Sequence, residues 1–256
     1  MADPEEENLL GFTRALSENE RAARCELATL FDGSPVPKGE RLDNLGLHMD
    51  HLALGRALFM DHIYKLILGI PGVVMELGCR WGQNLSFFMN LRTLYEPTHH
   101  SRRIIGFDTF TGFVDVAAED GQSVYARPGN VRTTQGYDAY LERLLAAREA
   151  MAPLAHKRKF EIVTGDVRET LPGYLDVHPE TIVALAYFDM DLFSPTRDAL
   201  LALKPRLARG SVVVLDEIND AGFPGETTAL REVFGLNGLA LRRVPFLNGP
   251  GYFVVE

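Results

Sequence analysis

Four carboxylates stand in two short clusters, Asp189-Met190-Asp191 and Asp216-Glu217. Each cluster closes an apolar run, TIVALAYFD (181–189) in one case and SVVVLD (211–216) in the other. If the two runs are neighbouring strands, the four acids converge. Unpaired carboxylates so close repel one another and are costly to desolvate. A hard divalent cation resolves that conflict, because Mg²⁺ takes carboxylate oxygens and keeps several of its waters. The alternative is a set of solvated loop acids or helix caps.

Three further acids follow apolar runs. Glu76 opens Glu76-Leu77-Gly78-Cys79-Arg80-Trp81-Gly82, directly after VVM. Its glycines permit a tight turn and close approach to a ligand at a helix N-terminus. The pattern lacks the full glycine fingerprint of a dinucleotide site. A carboxylate there repels a pyrophosphate but pairs with an ammonium group or hydroxyls. Asp108, followed by Thr109, ends RIIGF (103–107) and can accept from both hydroxyls of a ribose. Asp166, followed by Val167, ends FEIVTG (160–165) and can accept from the exocyclic amine of adenine. Asp108 and Asp166 also suit plain helix caps. The Glu76–Gly82 loop and Asp108 together favour an adenosine-containing ligand.

Weaker features need less. His48 and His51 stand three apart on an expected helix and would share its face. Cys79 and Trp81 read as packing residues, as does Cys25. The polar stretch 112–136 reads as a binding lid or a surface loop, where Arg127 and Arg132 could meet a phosphate.

The elements that position these acids follow from the rhythm of the chain. Apolar residues at helical spacing predict a helix over about 6–31, with Leu9, Leu10, Phe12, Leu16, Leu27 and Leu30, and another over about 47–68. From Val73 short apolar runs alternate with helical stretches, which implies βαβ units and a mostly parallel sheet. LRRVPF (241–246) and GYFVVE (251–256) read as a closing antiparallel hairpin. The expected architecture is α/β and Rossmann-like, a mostly parallel seven-stranded sheet with an N-terminal helical addition over 1–70. In such sheets ligands sit at the carboxyl ends of the strands, at the switch point.

Composition narrows the class. The net charge of −9 carries no basic stripe, which argues against nucleic-acid or membrane-surface partners. Two cysteines exclude a disulfide framework and a cysteine-rich metal site. The acidic N-terminus and the lack of a long apolar run lead us to expect a cytoplasmic protein. The apolar N-terminal helix, with nothing obvious to cover, suggests a homo-oligomer.

VVMELGCRWGQNLSFF, IIGFDTFTGF and AYFDMDLFSPTRDALLALKPRLARGSVVVLDEIND resemble the macrocin O-methyltransferase family, over roughly residues 70–235. The family uses S-adenosylmethionine to methylate sugar hydroxyls in bacterial natural-product pathways. The resemblance implies a class I methyltransferase domain over 71–256 and antibiotic biosynthesis. By the same resemblance Glu76, Gly78, Cys79 and Gly82 hold the methionine part. Asp108 with Thr109 then takes the ribose, and Asp166 with Val167 the adenine. Asp189, Asp216 and Glu217 correspond to the metal-binding acids, and Mg²⁺ is the expected cation. The family usually has Asp-Asp where this chain has Asp216-Glu217. Asp189 also borders the cofactor, and Asp189 or Asp191 is the expected general base. The substrate would be a deoxysugar, on a nucleotide diphosphate or already a glycoside. A catechol-type enzyme competes, but Leu192 stands where those enzymes carry a lysine. A nucleotide-dependent oxidoreductase and a binding module without chemistry are the remaining alternatives.

Overall fold

The structure is a computed structural model and describes residues 17–256. The expected helical residues before Ser17, Leu9, Leu10, Phe12 and Leu16 among them, lie outside the described residues. The described chain divides into two compact units between Leu54 and Gly55.

The first unit is built on helix α1, Glu18–Asp32, which opens with a capping box. Ser17 Oγ accepts from the Glu20 amide, and the Glu20 carboxylate accepts from the Ser17 amide at 2.9 Å. α1 buries none of its side chains. Helix α2, His51–Leu66, starts later than its periodicity predicts. Asp50 accepts from the Ala53 amide at 2.8 Å and so ends the preceding turn. His48 therefore lies before the helix, edge-on to Phe31, and shares no helix face with His51. From Gly55 onward α2 belongs to the second unit rather than to an addition ending at 70. The reason is burial: Phe59, Met60, Ile63 and Tyr64 are wholly enclosed in the core with Val74, Phe88 and Tyr187.

The second unit holds a six-stranded sheet. Its strands are β1 (Val73–Leu77), β2 (Ile104–Asp108), β3 (Phe160–Thr164), β4 (Val183–Phe188), β5 (Leu207–Leu215) and β6 (Gly251–Val254). The order is β3-β2-β1-β4-β5-β6, and only β6 runs antiparallel. The helices are α3 (Gln83–Tyr95), α4 (Tyr137–Ala150), α5 (Val167–Val177), α6 (Phe193–Leu203) and α7 (Gly225–Phe234). Alternate residues of the central strands feed two cores. One core takes Val74, Leu185, Tyr187 and Val214 with α2, α3 and α4; the other takes Met75, Ala186, Phe188 and Leu215 with α5, α6 and α7. Covered on both faces, the central strands are mostly apolar, β4 (VALAYF) wholly so, as the sequence led us to expect of several strands.

The expected seventh strand is absent among the described residues. LRRVPF makes a single bridge, in which Arg242 and Tyr252 exchange backbone hydrogen bonds of 2.8 and 2.9 Å. The next hydrogen-bonded pair of that ladder would be Val244 with residue 250, and Pro250 has no N–H with which to extend it. No helix among the described residues is long and apolar enough to cross a membrane. The chain passes from β1 outward to β3, then returns to β4 on the other side of β1. The crevice between β1 and β4 is therefore the switch point at which α/β sheets bind ligands.

Candidate active site

The loop after β1 is forced against the end of β4. Gly78 has φ +91°, and a Cβ there would lie 1.9 Å from the Asp189 carbonyl oxygen. Only glycine fits. Just before it, Glu76 is buried, and its Oε2 has no hydrogen-bond partner. Burial holds its carboxyl well above the usual range, against the pull of Asn84. Gly82, also at positive φ, starts α3. Cys79 is buried and its thiol is pushed up by that burial, so it packs rather than reacts. Trp81 packs edge-on to Tyr137 at 4.7 Å, and Tyr137 Oη donates to the Trp81 carbonyl at 3.0 Å.

Asp108 clasps two loops. Its Oδ2 accepts from the Arg80 amide at 2.7 Å and its Oδ1 from the Phe110 amide at 2.6 Å. Burial still raises its carboxyl above the usual range. Thr109 Oγ1 donates to the Gly112 carbonyl and shapes the turn that follows. Asp166 caps α5, accepting from the Arg168 amide at 2.9 Å, and also pairs with the Arg168 side chain, which holds its carboxyl low. Each carboxylate keeps lone pairs for a further donor. The Val167 side chain is buried in the core, which leaves its backbone for a ligand.

The acids after β4 and β5 meet, but not in the expected grouping. Asp189, Asp191 and Glu217 offer oxygens within 4.8 Å of one another. Asp216 borders that group without belonging to it: Arg56 from α2 grips both its oxygens, and Tyr187 Oη donates to it. Strand alternation accounts for this. Leu215 faces the α5–α7 core, so the next residue, Asp216, faces the side that carries Tyr187 and α2. Asp191 has φ +63° and is only 8% exposed. Burial pushes its carboxyl up to about 6. Burial, then the neighbouring acids, raises Asp189 and Glu217 well above the usual range. Glu217 Oε2 is buried with no partner. An oxygen-only, mutually repelling donor set with an orphaned oxygen fits a hard divalent cation.

Arg56, Asp120 and Glu226 escaped the sequence reading. Asp120 is buried within the 112–136 stretch and accepts from the amides of Phe193 and Ala117. Its stretch is further tied by Thr133 to the Phe110 carbonyl, while Arg127 and Arg132 are exposed. Glu226 looks in sequence like any first-turn helix acid. Arg56 alone left a signal, a charge within the apolar run LALGRALFM.

A model of the macrocin O-methyltransferase (TylF) family matches residues 59–232. The chain belongs to the macrocin O-methyltransferase family. A relative from Streptomyces olivaceus is 33% identical over 193 residues, 73% of this chain and 70% of its own. It is an 8-demethyl-8-(2,3-dimethoxy-α-L-rhamnosyl)-tetracenomycin-C 4′-O-methyltransferase. The calicheamicin methyltransferase CalS11 superposes with a TM-score of 0.92 at 41% identity, covering 94% of both chains. Its apo structure, described as a TDP-rhamnose 3′-O-methyltransferase, gives 0.83 at 38% identity over 94% of this chain and 96% of that one. The O-methyltransferase NovP shares the fold, with a TM-score of 0.58 at 18% identity over 78% and 79%. As a macrocin O-methyltransferase family member this protein is an enzyme that transfers a methyl group from S-adenosylmethionine to oxygen, and the oxidoreductase alternative falls.

Proposed function

We propose that the enzyme methylates a hydroxyl of a rhamnose-type deoxysugar during antibiotic biosynthesis. The observation that carries this is the 41% identity over 94% of the chain with CalS11, whose apo structure is described as a TDP-rhamnose methyltransferase. The tetracenomycin relative also acts on a rhamnosyl group. The nucleotide-linked sugar has the stronger support, because the CalS11 likeness is higher and spans more of the chain.

S-adenosylmethionine supplies the methyl group. Glu76 pairs with its ammonium group, and Gly78, Cys79 and Gly82 shape the backbone around its methionine part. Asp108 accepts from the ribose hydroxyls, and Thr109 fixes the turn that follows it. Asp166 and the Val167 backbone read the adenine. Asp189, Asp191 and Glu217 would hold Mg²⁺ or a similar cation, with Asp216 held back by Arg56. When bound, that cation supplies positive charge that acidifies a sugar hydroxyl and quiets the acid cluster. Asp191 takes the hydroxyl proton, its carboxylate standing in the cluster beside Asp189 and Glu217. Asp189, lodged against the Gly78 turn, fixes the geometry between cofactor and sugar. The sugar oxygen forms the new bond to the methyl carbon as the carbon–sulfur bond breaks, and S-adenosylhomocysteine leaves.

The two lone cysteines, Cys25 exposed and Cys79 buried, support a reducing cytoplasm. The exposed Leu30 and Phe31 of α1 support a homo-oligomer.

The test is methyl transfer from labelled S-adenosylmethionine, read by mass spectrometry with Mg²⁺ or with chelator. TDP-rhamnose, a rhamnosyl glycoside and catechol are offered in parallel. A singly methylated nucleotide sugar is the expected product. Methylation of catechol alone would replace this reading with the aromatic one.

A further inference from the structure

We infer that Glu226 is the positioning residue that sets the spacing between the two acidic loops. It sits in the first turn of α7, in no strand-end motif of the sequence, and is completely buried. Its Oε1 accepts from the amides of Met190 at 3.0 Å and Asp191 at 3.2 Å. Its Oε2 accepts from the amide of Glu217 at 3.2 Å. One oxygen thus serves the loop after β4 and the other the loop after β5. Two of the amides belong to residues whose own carboxylates are in the 4.8 Å cluster.

The placement is specific. Gly225 presses the start of α7 onto both neighbours: a Cβ there would lie 2.5 Å from the Phe193 amide and Asp120 Oδ1, and 2.7 Å from the Asp191 carbonyl. An ordinary first-turn acid serves its own helix from the solvent side. Glu226 is desolvated instead, at a cost that three N–H bonds to one carboxyl recover in part. A shift of one ångström in either loop would misplace a reacting group. The inference rests on the acid cluster acting in methyl transfer, and it names what holds that cluster in register.

Two variants separate this role from space filling. In Glu226→Gln the side-chain oxygen stays with Met190 and Asp191, because two bonds outweigh one, and the NH₂ then opposes the Glu217 amide. Glu226→Leu removes both attachments. In full-length enzyme, hydrogen exchange read by mass spectrometry should quicken about tenfold at the Glu217 loop in Gln, and at both loops in Leu. Turnover should fall about 100-fold in Leu, with affinity for S-adenosylhomocysteine within about twofold of the parent. Wild-type exchange at both loops in both variants overturns the inference. If Leu does not fold, the one-sided response of Gln decides. If the parent enzyme methylates no sugar, the proposed function falls, while the exchange data still judge Glu226.

Discussion

Arg56 holds both carboxylate oxygens of Asp216, 160 positions further along the chain, with Nη2 at 3.0 Å from Oδ2. Arg56 Nη1 also donates to Tyr187 Oη at 2.6 Å. A residue of the second helix thereby neutralises one of the acids at the strand ends. Arg56→Met strands a buried carboxylate, which costs about 3–5 kcal/mol. Adding Asp216→Asn should return most of that loss. Urea denaturation of cation-free protein checks both; a loss below about 1 kcal/mol would show the pair to be idle.

Asp191→Asn removes the proposed base and keeps its size. The rate of methyl transfer should fall by about 10²–10⁴ with little change in affinity for S-adenosylhomocysteine. Near-parental turnover, measured under saturating sugar, moves the role to Asp189.

Gly78→Ala puts a methyl into the Asp189 carbonyl and strains a left-handed residue. The strand ends must part. We expect a loss of about 3 kcal/mol in stability and weakened cofactor binding by calorimetry. An alanine variant that binds S-adenosylhomocysteine as tightly as its parent refutes the close fit.

Cation-free protein should lose stability as pH rises. Burial lifts Asp191 to about 6 and Glu226 to about 8. Unfolded carboxylates titrate near 4, so across roughly pH 4–8 the folded state binds more protons than the unfolded one. The slope of stability against pH is therefore negative in that window. Mg²⁺ should flatten it by compensating Asp189, Asp191 and Glu217. Melting temperatures from pH 5 to 8, with chelator and with Mg²⁺, read the effect; a rise with pH under chelator contradicts it.

The sheet was legible because each central strand is apolar on both faces and ends in a glycine or an acid, as at Val73–Leu77 and Val183–Phe188. The acids themselves were equally visible. Their grouping was not, since it depends on which face of the strand Asp216 takes and on the turn at Asp191, whose positive φ no residue type announces. LRRVPF carries strand-like residues, but its partner at the next hydrogen-bonded pair is Pro250, whose missing N–H leaves a single bridge. Glu226 was hidden for another reason: a helix-capping acid and a buried loop clamp look the same until the partners are seen.

The double grip of Asp108 on the Arg80 and Phe110 amides fixes both loops before any ligand arrives, and in the proposed function these loops form the ribose end of the cofactor site. Binding there costs little ordering entropy. The same rigidity acts on departure, since nothing at that end loosens once the methyl group is gone. Spent cofactor is then held nearly as well as fresh, and the enzyme should work fastest where another activity keeps clearing S-adenosylhomocysteine.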